Sequence, residues 1–327
     1  MFLFFLIFCL SAVFSLNAFA KTELTYADFF PPSHKQSQLA ASWCAEVEKR
    51  TNGEVVVKYF PGGSLAKGPQ IYDGVASGIA DVGLTVLSYT SGRFPVAAAI
   101  DLPMGYKTGT QATRVANAVL NKFQPKEFDD TKILYLHAHG PGLLHTNSKK
   151  VVTLDDMKGL KIRGTGTSGA VISALGGSPV GKPMNETYEL LQKGVVDGAL
   201  YPVESNKGWK LGEVTKYMTE NYSTAYSLTF AVMMNKAKWN ALSPAIQNTI
   251  KEINAEWVAK TGEGWDEIDK AGMEFFKEKG GELVPQNSEE SAKWQKAMAP
   301  VFEDYIKTAG EKGIDGKEVM DFIKANM

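Results

Sequence analysis

The residues best able to do chemistry in this chain are gathered between Leu160 and Gly177. Leu160-Lys161-Ile162-Arg163 reads as a short apolar strand ending in an arginine. Gly164-Thr165-Gly166-Thr167-Ser168-Gly169 reads as a glycine-rich turn with a helix opening behind it. Two anion-attracting devices coincide there: a planar guanidinium fork, and a helix N-terminus whose first N–H groups lack intrahelical partners. A charged residue closing an apolar strand is poorly explained as solvated surface. An ion pair between elements is the bland alternative, and a bidentate clamp on a carboxylate the sharper one. Lysine would supply the charge without the fork.

Other constellations compete with this one. Gly164-x-Gly166-x-x-Gly169 is a literal dinucleotide fingerprint in its required strand–turn–helix context. However, an arginine ends its strand, nothing acidic ends the next strand at Val180, and Glu186 lies beyond Pro183. No cofactor is therefore expected. His137 and His139, at strand spacing, share one face, but no Asp, Glu or Cys at ligand spacing accompanies them. They are read as a polar strand face, and no metal is expected. The chain shows no metal-protease helix, no G-x-S-x-G elbow and no paired carboxylates in matching contexts, so no catalytic residue is assigned.

The elements that must position Arg163 follow from hydrophobic period and punctuation. Strands are predicted at Leu24–Ala27, Glu54–Phe60 and Asp81–Leu87, separated by a helix that Ser33 caps and by another over Gln70–Ser77. This β-α-β-α-β grammar recurs from a strand at Ile133–Ala138 and implies an α/β architecture of layered sheets. Thr153 and Asp156 have capping-box spacing. From Ser243-Pro244 a helical pattern runs to about Gly280, with Gly262 and Gly264 as a predicted bend. At 1.5 Å per residue it would span about 50 Å, enough to brace two domains.

Composition bounds the partners. The first twenty residues carry no Asp, Glu, Lys or Arg and end in Ala18-Phe19-Ala20, which reads as a secretory signal peptide cut before Lys21. A membrane anchor is the alternative for so short an apolar run. Beyond the leader only Cys44 remains, on the stripe Leu39, Trp43, Val47, and it reads as a buried small hydrophobe. A net charge of −1 argues against a nucleic-acid partner.

Ordered pieces along the chain then carry a resemblance: Arg50-Thr51-Asn52-Gly53, Tyr59-Phe60-Pro61-Gly62-Gly63-Ser64-Leu65, Asp101-Leu102-Pro103, Met157 to Arg163, Gly176-Gly177-Ser178-Pro179-Val180, and Val195-Val196-Asp197-Gly198. The set resembles the DctP-like solute-binding proteins of tripartite ATP-independent periplasmic (TRAP) transporters. The resemblance implies a periplasmic-binding-protein-like (type II-like) fold of two α/β domains, with crossing hinge strands and a long helix spanning both. Residues 21–140 plus about 228–265 would form the first domain, and about 141–227 plus 266–327 the second, with the ligand cleft between them. The protein would be a periplasmic monomer that passes an organic acid to a membrane permease. The family's signature arginine, which pairs with the ligand carboxylate, falls on Arg163.

Departures from relatives that bind sialic acid shape the expected pocket. Gly142 holds the place of their second arginine, and Tyr201 stands where they carry an asparagine that touches ligand. Their polar cleft positions correspond to Phe29 and Val86. The expected site is therefore Arg163, a phenolic hydroxyl from Tyr201, Ser88, and walls from Phe29, Val86, Met184 and Trp209. Such walls favour a monocarboxylate with an apolar or aromatic body over a polyhydroxylated one. An exported enzyme on the same scaffold and a chemosensory ligand-binding subunit are the competing classes.

Overall fold

A computed structural model describes residues 21–327; the expected signal peptide lies outside the described residues. The first sheet is entered by β1 (Thr22–Asp28), β2 (Val55–Phe60), β3 (Val82–Val86) and β4 (Thr131–Ala138). The chain then crosses to β5 (Gly142–Thr146), β6 (Lys161–Arg163), β7 (Ser178–Val180), β8 (Gly198–Pro202) and β9 (Tyr217–Thr219). It returns as β10 (Thr229–Asn235) and adds β11 (Glu282–Val284) to the second sheet. The sheet orders are β2-β1-β3-β10-β4 and β11-β9-β5-β8-β6-β7. Each sheet is mixed. β1, β2 and β3 run parallel, as crossover helices require, whereas β10 pairs antiparallel with both β3 and β4 because it arrives from the other lobe.

The two crossing segments lie side by side. The Gly142 N–H donates to the Tyr226 carbonyl at 2.8 Å. A Cβ at Gly142 would stand 2.2 Å from the Tyr226 ring, so glycine here lets that ring pack onto the hinge. An arginine at this position would displace the tyrosine.

Helices cover the sheets by their apolar stripes. In α1 (Lys35–Arg50) Trp43, Cys44 and Val47 of the expected stripe are buried together with Ala40, whereas Leu39 is only half-buried. Its N-cap is His34 rather than Ser33: the imidazole Nδ1 accepts from the Gln36 N–H at 3.2 Å. α2 (Ile71–Ser77) and α3 (Gly109–Phe123) complete the first lobe. α4 (Thr167–Ala174), α5 (Thr187–Gln192) and the single turn α6 (Ser205–Gly208) pack on the second. The Thr153–Asp156 capping box is present.

After α7 (Lys236–Ala241), α8 (Pro244–Glu278) is one continuous helix. At 35 residues it is about 50 Å long. Ile250, Ile253, Trp257 and Trp265 serve the larger core, while Phe276 packs with Leu143, Val203 and Met218 of the second lobe. Gly262 and Gly264 do not interrupt the helix; they admit close neighbours. A Cβ would meet Thr110 at 3.0 Å from the first and Leu39 at 2.8 Å from the second.

The tail departs from the expected division. α9 (Ser288–Ala297) and α10 (Ala299–Gly310) pack on second-lobe elements, α10 against α4. But α11 (Gly316–Ala325) returns to the first lobe, where Phe322 meets Phe123 edge-on and Arg114 donates to the Asn326 carbonyl. The expected assignment of 266–327 wholly to the second domain fails because α11 has its apolar partners on α3.

Candidate functional site

Between the lobes the described residues line a cleft that is partly open to solvent. Arg163 closes β6, which lies between β7 and β8, so its stem is covered on both sides and only 3% of its surface is exposed. Its Nε donates to the Lys182 carbonyl at 2.8 Å. No carboxylate lies within salt-bridge distance of it among the described residues. Burial pulls its pKa down, opposed by the phenols of Tyr89 and Tyr226 and by Glu186 farther out. A guanidinium nevertheless stays protonated. A buried cation without a partner is costly, and the terminal nitrogens of this one remain available for an anion.

The glycine turn behaves differently from the expectation. Gly166 caps α4 at φ +53°, a conformation open to glycine, and a Cβ there would stand 2.9 Å from Ser88 Cβ. The Ser168 hydroxyl takes up the Thr165 N–H at 2.8 Å. Thr165 reaches the main cavity, but Gly166 and Thr167 line an adjoining hollow with Leu87 and Ser88. The helix N-terminus and the guanidinium therefore do not converge on one anion.

Of the expected site residues, Arg163, Phe29, Val86, Met184, Trp209 and Tyr201 all line the cavity. Ser88 does not: it faces the adjoining hollow, its hydroxyl 3.4 Å from that of Thr165. Tyr201 supplies a ring and not a hydroxyl. Its oxygen is engaged by Asn206 at 3.1 Å and Thr215 at 3.0 Å, and its ring stacks on His145 with centroids 3.8 Å apart. The apolar walls are aromatic. Phe29 of the first lobe lies nearly parallel to Trp209 of the second, at 6.3 Å and 18°, and to Phe230, at 6.4 Å and 6°. Phe230 pairs in register with Val86.

Tyr226, Leu228 and Phe230 also line the cavity, on one face of the returning segment. Their period-two spacing is the signal that could have found them. The Met184 N–H donates to the Tyr89 hydroxyl at 3.1 Å, joining the lobes beside the guanidinium. His137 and His139 are not on a solvated polar face. Both are fully buried, because Trp265 from α8 and Phe230 from β10 close over them. Desolvation pushes them down to about 3 and about 4, so both are neutral.

A second polar cluster borders the cavity. Glu204 accepts from His34 Nε2 at 2.9 Å and from the Ser205 hydroxyl. His34 Nδ1 is the acceptor in the α1 cap, so Nε2 carries the proton in this bond. Asp269 accepts the Glu204 N–H at 2.8 Å, and burial beside the Glu204 carboxylate raises its pKa well above the carboxylate range. Serine, carboxylate and imidazole thus stand in the wrong order for nucleophilic activation, with the carboxylate between hydroxyl and ring. Among the described residues no group of three or more His, Cys, Asp or Glu is placed to hold a metal.

Comparison with known proteins agrees with this geometry. The model of the family "Bacterial extracellular solute-binding protein, family 7" (DctP) matches residues 26–308. A solute-binding protein of Albidiferax ferrireducens is 29% identical over 282 residues, covering 83% of this chain and 81% of its own length. A TRAP solute-binding protein from a marine metagenome, specific for aromatic acid ligands and solved with 3-hydroxybenzoate, superposes with a TM-score of 0.88. It is 29% identical and covers 94% of this chain and 98% of its own. A TRAP periplasmic solute-binding protein of Bordetella bronchiseptica with bound (R)- and (S)-mandelate gives a TM-score of 0.87 at 31% identity, covering 93% and 98%. The chain belongs to the DctP family of extracellular solute-binding proteins, the ligand receptors of TRAP transporters.

Proposed function

We propose that this receptor captures a monocarboxylate with an aromatic or apolar body and holds it in the cleft until a TRAP permease accepts it. The observation that carries the reading is Arg163: a buried guanidinium without a carboxylate partner, in a cavity otherwise walled by aromatic rings. A carboxylate would complete a bidentate, charge-assisted pair there, and the ring faces of Phe29, Trp209 and Phe230 would take up a flat body. A polyhydroxylated acid would bring hydroxyls to these faces without partners. The aromatic acid and mandelate complexes of relatives at 29% and 31% identity favour the same ligand class.

Closure follows from the placement of the walls. Phe29 and Val86 belong to the first lobe, Arg163 and Trp209 to the second, so a ligand touching both favours the closed arrangement. The reading is tested by a melting-temperature screen of the mature protein against aryl, branched aliphatic and sugar acids. Aryl or branched monocarboxylates should raise the melting point, by about 2.7 kcal/mol of stability at 100 times their dissociation constant. Tight binding of a sugar acid with no response to any aryl or branched acid would refute the ligand class.

A further inference from the structure

His139 follows β4 directly, opening the first crossing segment, and lines the cavity. Its Nδ1 lies 2.6 Å from the Gly140 carbonyl oxygen. A carbonyl can only accept, so Nδ1 carries the proton and Nε2 is a bare acceptor. Among the buried side-chain polar atoms of the described wall residues, His139 Nε2 is the one with no hydrogen-bond partner. Other buried polar wall groups are engaged: Glu204 has two donors, the Tyr201 and Tyr89 hydroxyls are bonded, and Trp265 Nε1 donates to His137 Nδ1 at 3.0 Å.

Resting on the aromatic-acid reading above, we infer that His139 Nε2 accepts a hydrogen bond from a hydroxyl on the ligand, so the preferred ligand is a hydroxylated monocarboxylic acid. Leaving a buried acceptor unpaired is unfavourable, and a site built around one discriminates against an analogue lacking the donor. Tyr226 borders both ends of this arrangement. Arg163 acts on its hydroxyl, and the His139 ring meets its ring edge-on at 5.5 Å. Carboxylate and hydroxyl would therefore flank Tyr226. Burial keeps the imidazole neutral, with its pKa pushed down to about 4, so the acceptor is preserved at neutral pH.

The test is calorimetric titration of the mature protein with matched probes: benzoate against 2-, 3- and 4-hydroxybenzoate, and phenylacetate against mandelate. At least one hydroxylated acid should bind about tenfold or more tightly than its parent. In His139→Phe that ratio should fall towards one whatever the change in the parent's own affinity, and His139→Gln, which keeps an acceptor, should restore part of it. With four histidines in the chain, selective ¹⁵N labelling also reads the wild type without any variant. The pyridine-type Nε2 signal of His139 should move upfield with the hydroxylated acid and stay in place with its parent. An unchanged ratio in His139→Phe, a parent that binds as tightly as every hydroxylated derivative, or an immobile Nε2 signal would overturn the inference while leaving the aromatic-acid reading intact. No binding of any of these acids would refute that reading and this inference with it.

Discussion

In Arg163→Met the guanidinium is exchanged for an unbranched apolar side chain that can occupy the same strand end. Two effects of opposite sign should follow. In the wild type the charge is 97% removed from solvent and bonded through Nε to one carbonyl. Without ligand it is therefore a destabilising feature, and replacing buried charges by apolar groups is neutral or stabilising by about 1–4 kcal/mol. With ligand the same substitution strands a carboxylate in an aromatic cavity, a loss of about 2–5 kcal/mol, or roughly 30- to 4,000-fold in affinity. Ligand-free melting temperature and titration with the best acid from the screen read the two effects separately. The expected result is an equal or higher melting point, by about 1–2 °C per kcal/mol, together with near-complete loss of binding. A variant that loses several kcal/mol of ligand-free stability would show that Arg163 holds the fold together through its bond to Lys182 and is not kept for a ligand.

Other expectations follow from the same geometry. Asp101 is buried and accepts the N–H and hydroxyl of Thr229 through one oxygen, and desolvation raises its pKa to about 7. Its folded pKa exceeds the unfolded value, so its favourable contribution is full below about pH 4 and lost as pH rises through about 7. Asp101→Asn keeps the acceptor and should stabilise the protein at pH 8, by at most about 4 kcal/mol, and hardly at pH 4; urea unfolding at the two pH values decides, and an equal effect at both contradicts the assignment. Gly142→Ala forces a Cβ to within 2.2 Å of the Tyr226 ring and should cost about 1–3 kcal/mol in urea unfolding, whereas a neutral result would show the hinge to be loosely packed. His34→Ala removes both the α1 cap and the bond to Glu204 that joins the lobes. It should enlarge the ligand-free radius of gyration by small-angle scattering, and an unchanged curve would count against that bond as a latch.

How much was legible in the chain differs between fold and site. Alternating strands and helices, the capping box at Thr153 and the helix beyond Ser243 all follow local rules, and the structure keeps them. Arg163 stood out because a charge at the end of an apolar strand breaks the local pattern. The rest of the wall did not stand out, since Tyr89, Tyr226 and Phe230 obey their own elements and meet only because β10 inserts between β3 and β4. Ser88 and Tyr89 are neighbours in one 3₁₀ turn, and sequence gives no way to tell which of them faces the cleft. The Tyr201 ring lines the cavity, but the direction of its hydroxyl depends on Asn206 and Thr215. The His137/His139 pair looked polar because its cover, Trp265, comes from a helix more than a hundred residues away. The return of α11 to the first lobe has no local signal.

The central claim is that Arg163 receives the carboxylate of an aromatic or apolar acid in this cleft. A crystal structure of the mature protein grown with the acid that most raises its melting point tests it most directly. Carboxylate oxygens should lie about 2.7–2.9 Å from both terminal nitrogens of Arg163, with the body against Phe29, Trp209 and Phe230. A ligand whose carboxylate lies more than about 4 Å from that guanidinium, held by another cation or facing solvent, would contradict it.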